Sequence, residues 1–331
     1  MPAWLIPALA YAVSIASLVW VLHGVDLGTM WDDITSMHWG WVCVAVVSDI
    51  AVYIYQGWRW NLLLNPVAPS SMWRSVQAIY VGLFANELLP FRPGELIRPY
   101  LKARWSKLPF SVAFSSVLIE RVFDGIWLVS VLLLTTRFVK LPQQAVDLAY
   151  LLGLATAIAA AALGVVMFWK HHAHAAVRNT RWASKLRVLV DDLHIIGRSP
   201  SFYAAALASL PYLLIQAVPV YALVQAYGLD LSIGPTLVVL IIWRLGTAIP
   251  QLPGNIGTSQ AFLVLGLGLF GVDKTAASGL SFVTWGVITA PLVLAGSLAL
   301  ALTGGSLRDL HDRARAHARG PVMATHTPGS K

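Results

Sequence analysis

The apolar positions of the chain fall into long runs separated by short polar stretches. Runs close to the roughly 20 apolar residues that a membrane-spanning helix needs occupy residues 3–22, 39–57, 110–134, 148–169, 202–227 and 276–303. The first run has no basic residues before it and no clear small-residue cleavage site, which predicts a retained helix and not a signal peptide. The pattern therefore predicts an all-α polytopic membrane protein with about six full spans.

Two further apolar segments are interrupted by proline and glycine. Residues 73–89 are short and end just before Pro90, and residues 233–272 are broken in the middle at 250–257. Both breaks contain the pattern P-x-x-P-G-x-[LI], at 90–96 and at 250–256. Paired helices broken by glycine and proline in the two halves of a chain are the best sequence indication of a transporter's midplane binding site. We therefore expect two re-entrant helical hairpins.

The distribution of lysine and arginine predicts how the chain is oriented, because cytoplasmic loops collect these residues. We place the N-terminus inside and let 73–108 return to the side from which it entered. In this arrangement 18 of the 23 basic residues lie inside, and Arg137, Lys140 and Lys274 lie outside. A full crossing by 73–90 would instead place the basic cluster from Arg98 to Lys107 outside. The three spans between the two hairpins give them opposite orientations, which is an inverted repeat. Two full spans at 233–249 and 257–272 would have the same parity, so that alternative stays open.

Composition excludes several classes of protein. Of the 331 residues, 57% are hydrophobic and 11% are charged, against about 25% charged in soluble proteins. This excludes a cytosolic enzyme, a disordered protein and a secreted disulfide scaffold. The net charge of +8 is explained by the lysines and arginines that cytoplasmic loops collect, so it does not indicate nucleic-acid binding. We predict a membrane domain at 1–305, with a basic, interface-lying loop at 170–200, and a basic cytoplasmic tail at 306–331 that is disordered beyond a short helix end.

Charged residues inside the apolar surroundings are the main candidates for a site. A charge at membrane depth costs at least about 2.5–3.5 kcal/mol, so such residues pair with one another or line a wet cavity. Two interpretations are open: an ion-pair network that holds helices together, or a polar cavity for a charged lipid headgroup. For Arg244, cavity lining competes with pairing to Asp49 or Glu120. The candidates are Glu87, Arg92, Glu95, Arg98, Glu120, Arg121, Asp124 and Arg244.

The proline–glycine breaks also favour a binding site for a phosphate. A half-helix that begins at membrane depth carries partial positive charge and free N–H donors, which suit a phosphate. The helix after Gly257 adds Asn255, Thr258 and Gln260 to the candidates, and the segment after Gly94 carries Arg98. The alternative is that both breaks are only tight turns between helices.

We expect no catalytic residues, metal site or cofactor. The chain contains no P-loop, no H-E-x-x-H, no G-x-S-x-G and no dinucleotide-binding fingerprint. The histidines at 171, 172 and 174 lack nearby carboxylates and are interpreted as a solvated interface cluster.

The segment from Asn86 to Arg98, followed by Glu120-Arg121-Val122-Phe123-Asp124, resembles the N-x-x-L-P-x-R-x-G-E-x-x-R … E-R-x-x-D signature of the flippase-like, lysylphosphatidylglycerol synthase transmembrane-region family. The segment from Pro253 to Gln260 is similar to that family's P-G-x-x-G-x-x-E element. Gln260 stands where the family has an acid, so the resemblance does not extend to a proton relay there. Full-length synthases add a cytosolic aminoacyl-transferase domain, and the short tail here does not imply that activity.

The resemblance implies a membrane unit that moves lipids between leaflets or supports glycolipid and hopanoid pathways. We therefore expect a multi-pass protein of the bacterial inner membrane, with both termini cytoplasmic, that binds and flips a phosphate-bearing lipid. Anionic or aminoacylated phospholipids and polyprenyl phosphates are the candidate lipids, since the arginines would face a phosphate and the acids an amine. The alternatives are a membrane-embedded lipid transferase and a non-catalytic partner of a glycosyltransferase. Candidate protein partners are such a glycosyltransferase or further copies of the chain; nucleic acid is not expected.

Overall fold

The described part of the chain is all α-helical. The computed structural model describes residues 5–90, 92–139, 143–168, 191–194, 196–197, 199–248 and 253–319, and these contain no β-strand. The helices are α1 (Leu5–Leu22), α2 (Leu27–Thr35), α3 (Trp39–Leu64), α4 (Met72–Leu88), α5 (Gly94–Ser106), α6 (Phe110–Thr135), α7 (Gln143–Phe168), α8 (Pro200–Ala226), α9 (Ile233–Ala248), α10 (Thr258–Gly268), α11 (Lys274–Ala301) and α12 (Leu307–Arg319), with a 3-10 turn at Pro253–Asn255.

Each of the six predicted apolar runs forms a helix, namely α1, α3, α6, α7, α8 and α11. Within the described residues, α3, α8 and α11 are long and apolar enough to cross a membrane. The helix α6 is equally long but carries Glu120, Arg121 and Asp124. An all-α polytopic membrane fold is thereby confirmed, while the number of spans and the inverted repeat stay predictions.

The helix α2 was not predicted from the apolar pattern. It follows α1 after a bend of 85°, at which Gly24 adopts a φ of 74°. The carboxylate of Asp26 accepts hydrogen bonds from the backbone N–H of Gly28 at 2.9 Å and of Thr29 at 3.2 Å, which begins the new helix. The chain therefore turns sharply at the end of α1 into a short helix with no buried residues.

Each proline–glycine break lies between two helices that pack against each other as a hairpin. In the first, α4 and α5 approach so closely that a Cβ added at Gly94 would lie 1.8 Å from the carbonyl oxygen of Gly82. In the second, a Cβ at Gly246 would lie 2.2 Å from the ring of Phe262, and Gly266 on α10 faces Val239 on α9. The facing positions run in opposite directions along the chain, so α9 and α10 are antiparallel. Glycine permits both close approaches.

The terminal helix α12 packs on the first hairpin. Leu310 and Ala314 are buried in the same apolar cluster as Ile97 of α5, and the rings of His317 and Tyr100 lie 5.1 Å apart. The predicted domain boundary at 305/306 stays a prediction. Most of the predicted basic loop at 170–200, including the three histidines, and the tail beyond 319 lie outside the described residues.

Candidate functional site

The two proline–glycine breaks meet in the interior of the helical bundle. Arg92, in the first break, donates a hydrogen bond from Nη1 to the carbonyl oxygen of Thr247 at 2.7 Å. A Cβ added at Gly254, in the second break, would lie 3.6 Å from Oε2 of Glu87. Trp285 of α11 donates from Nε1 to the carbonyl oxygen of Gly254 at 2.7 Å. Segments 160 residues apart in sequence therefore form one site.

Two adjoining cavities open at this meeting point. The first, of about 180 Å³, lies among α3, α4, α5, α6, α8, α9, the 3-10 turn, α10 and α11. The second, of about 210 Å³, lies among α6, α8 and α9 next to the first break. The residues that line both are Arg92, Arg121, Tyr212, Arg244 and Thr247. Three arginines thus stand where the cavities join.

A network of ion pairs surrounds the cavities. Arg121 donates from Nη2 to Glu95 at 2.6 Å, and Arg98 donates to Glu120. Glu120 and Asp124 also accept from the guanidinium of Arg59, at 3.2 Å and 2.5 Å. Three arginines are thereby matched by three carboxylates, which is how charges are retained in a low-dielectric interior.

The central member of this network, Arg59, was missed in the sequence analysis. It is fully buried, donates from Nη1 to Ser209 Oγ at 2.8 Å and lies 4.2 Å from the centroid of the Tyr212 ring. The apolar run ends at 57, and Arg59 was counted with the inside-facing residues beyond it. Helix α3 continues to Leu64, and this places the guanidinium inside the bundle.

Arg92 and Arg244 differ from the other three arginines. Neither has a carboxylate within 4 Å among the described residues; Arg92 binds the neutral Thr247 carbonyl, and Arg244 donates to the side chain of Gln216. Pairing of Arg244 with Asp49 or Glu120 is not observed. The Nε of Arg92 is buried with no hydrogen-bond partner in that part of the chain. Two cations at the junction of the cavities therefore have no direct ion-pair partner within the described part of the chain.

Most of the predicted site residues come together here. The first cavity is lined by seven of the eleven: Glu87, Arg92, Glu95, Arg98, Arg121, Arg244 and Asn255. Asp124 lines the second cavity, and Glu120 lies behind it in the ion-pair network. Tyr53 and Gln56 of α3 line the first cavity without having been predicted.

The half-helix N-termini are less open than expected. The N–H of Gly94 donates to Oδ1 of Asn86 at 2.8 Å. Gln260 accepts from the N–H of Gly257 at 2.7 Å, and neither Gln260 nor Thr258 lines either of these two cavities. Arginine side chains, more than backbone donors, therefore define the positive character of the site. The described residues contain no group of three or more potential metal ligands.

Comparison with known proteins agrees with this architecture. The model of the lysylphosphatidylglycerol synthase TM region matches residues 8–296, which include both hairpins and both cavities. The chain belongs to the lysylphosphatidylglycerol synthase TM region family. The match ends before α12, so the terminal helix lies outside the region that the family model covers.

Two relatives of this lysylphosphatidylglycerol synthase TM region protein are UPF0104 membrane proteins. That of Methanothermobacter thermautotrophicus is 22% identical over 307 residues, covering 83% of this chain and 89% of the relative. That of Methanocaldococcus jannaschii is 29% identical over 87 residues, covering 25% of this chain and only 26% of the relative. No solved structure matches the chain.

Proposed function

We propose that this membrane protein binds a lipid through its phosphate and moves that lipid between the leaflets of the bilayer. The observation that carries the proposal is the pair Arg92 and Arg244, which line both cavities and have no carboxylate partner among the described residues. An anionic ligand would supply the missing counter-charge.

Phosphate is the anion that this pair suits best. The planar guanidinium fork matches phosphate oxygens with two parallel hydrogen bonds. An unpaired charge at membrane depth costs at least about 2.5–3.5 kcal/mol, and a phosphate that accepts from both arginines would offset part of that cost. Arg121 can join them, because it also lines both cavities.

Two features support a lipid over a soluble anion. The Arg121–Glu95 ion pair keeps side-chain exposures of 47% and 35% although Arg121 lies midway along α6, so the polar site is open at the depth of the middle of that helix. The second cavity is also lined by Leu128, Leu213 and Leu245 in addition to its arginines. A site with both charged and apolar walls fits the junction of headgroup and acyl chain.

The experiment is lipid translocation in proteoliposomes that contain a fluorescent phospholipid, with a membrane-impermeant quencher added outside. We expect Arg92→Gln and Arg244→Gln to slow translocation at least tenfold relative to wild type. Arg104→Gln is the matched control, because Arg104 is an exposed arginine on α5 outside both cavities, and it should translocate at the wild-type rate. Equal rates in all four proteins, or no movement by the wild type, would overturn the proposal.

The same vesicles test the other function classes. Mass spectrometry of the recovered lipids would reveal a changed headgroup if the protein were a lipid transferase. Intact lipids that have changed leaflet support translocation without chemistry.

A further inference from the structure

The walls of the first cavity combine aromatic rings with polar groups that have no partner in the described part of the chain. Trp243 and Trp285 line it, and both indole N–H groups are already engaged, at 2.7 Å from Ser259 Oγ and from the carbonyl oxygen of Gly254. With those N–H groups engaged, the two indoles have carbon surface left to offer a ligand, and the Tyr53 ring adds more beside its hydroxyl. Rigid aromatic surfaces of this kind pack well against the C–H faces of a ring or a short carbon chain.

The polar groups beside these rings have unused hydrogen-bonding capacity. Gln56, Tyr53 and Thr289 line the first cavity, and none of their side chains has a hydrogen bond within the described parts of the chain. Asn86 accepts from Gly94 through Oδ1, and its Nδ2 has no hydrogen-bond partner among the described residues. Interior polar groups are nearly always hydrogen-bonded, so the contents of this cavity must supply their partners.

The charges around the cavity disfavour an amine. Its lining contains four arginines, Arg92, Arg98, Arg121 and Arg244, against the two carboxylates of Glu87 and Glu95. Glu95 is already held by Arg121 at 2.6 Å. Glu87 is outside the described ion pairs, and it shares the cavity with Arg92 and Arg244, neither of which has a direct ion-pair partner among the described residues. An ammonium group entering this cavity would meet a surplus of positive charge, whereas neutral hydroxyls would not.

The first cavity is large enough for a small polar group. It measures about 180 Å³, and it adjoins the second cavity of about 210 Å³ through the three arginines that line both. One sugar ring or one glycerol unit is the size of group that we assign to it, with the attached phosphate at the junction.

We propose that the first cavity binds an uncharged polyhydroxyl headgroup, a single sugar or a glycerol, attached to the phosphate that Arg92 and Arg244 hold. The inference rests on the proposed function and deepens it by naming the class of headgroup. The hydroxyls bond to Gln56, Thr289 and Asn86, and the carbon skeleton packs on Trp243 and Trp285.

The test is calorimetric titration of the full chain in phosphatidylcholine nanodiscs, because sugar detergents would compete for the cavity. The probes are methyl phosphate, glycerol 3-phosphate, glucose 1-phosphate and phosphoethanolamine. We expect one or both polyol phosphates to bind about tenfold tighter than methyl phosphate, and phosphoethanolamine to bind no tighter than methyl phosphate. Whichever of the two polyol phosphates binds with the higher affinity identifies the headgroup as a sugar or a glycerol.

Variants test the residues. Gln56→Leu and Thr289→Val remove polar groups that have no partner in the described chain, and each should reduce the polyol preference to about threefold. Ser297→Ala, on the same helix as Thr289 but exposed, should keep the full preference.

The outcomes separate this inference from the proposed function. If methyl phosphate binds and Arg244→Gln abolishes that binding, but the polyol phosphates bind no tighter, the headgroup assignment is wrong and the phosphate site stands. Tightest binding by phosphoethanolamine would also overturn the assignment. If none of the four probes binds, the phosphate site of the proposed function fails as well.

Discussion

Replacing Arg59 by methionine removes the centre of the buried ion-pair network. Arg59 is 0% exposed and is the only ion-pair partner of Asp124 among the described residues. Glu120 keeps Arg98 as a partner, so a single carboxylate is left without a cation. Because breaking a buried ion pair from one side costs about 3–5 kcal/mol, we expect Arg59→Met to lower the free energy of unfolding by that amount.

The assay is reversible unfolding by sodium dodecyl sulfate in mixed lipid–detergent micelles. The double variant Arg59→Met/Asp124→Asn also removes the orphaned charge, and it should recover roughly 1–3 kcal/mol relative to the sum of the single variants. Arg74→Met is the matched control, since Arg74 is exposed and lies over the Trp105 ring at 5.0 Å; it should cost at most about 1 kcal/mol.

Either of two results would contradict a central role for Arg59 in the ion-pair network. One is a loss below about 1 kcal/mol for Arg59→Met, far less than one orphaned buried carboxylate should cost. The other is strict additivity in the double variant, within about 0.5 kcal/mol, since coupled partners cannot behave as independent sites.

Two further predictions concern the hairpin and the orientation. Gly94→Ala should destabilise the protein by about 1–3 kcal/mol, because the new Cβ has no room against α4. Gly268→Ala, with open space around it, should be neutral or stabilising in the same micelle assay; equal losses would contradict the packing argument. With Cys43 replaced by serine, a cysteine at Lys107 should react with an impermeant maleimide only from the cytoplasmic side, and one at Lys274 only from the opposite side. The reverse labelling would refute the predicted orientation.

Much of the fold could be predicted because a bilayer imposes a simple pattern. A helix that is long enough to cross the hydrocarbon core appears in the sequence as a long apolar run. The runs at 39–57 and 110–134 form α3 and α6. The bend before α2 could not be predicted in this way, since α2 is short and is fixed by local capping at Asp26.

The site was partly predictable for the same reason. Charges such as Glu87 and Arg92 stand out against apolar surroundings, and the sequence places them beside a break. Gln56 and Tyr53 do not stand out, because uncharged polar residues are common in helices; only packing shows that they face a cavity. Arg59 was misplaced because an apolar run ends before its helix does.

The central claim is that Arg92 and Arg244 hold the phosphate of a lipid. Native mass spectrometry of the protein released from membranes tests it most directly, by measuring the lipid that each variant retains. The account predicts a bound phosphate-bearing lipid on the wild type and on Arg104→Gln, and its loss from Arg92→Gln/Arg244→Gln while the protein stays folded. Retention of the same lipid by the folded double variant would contradict the account.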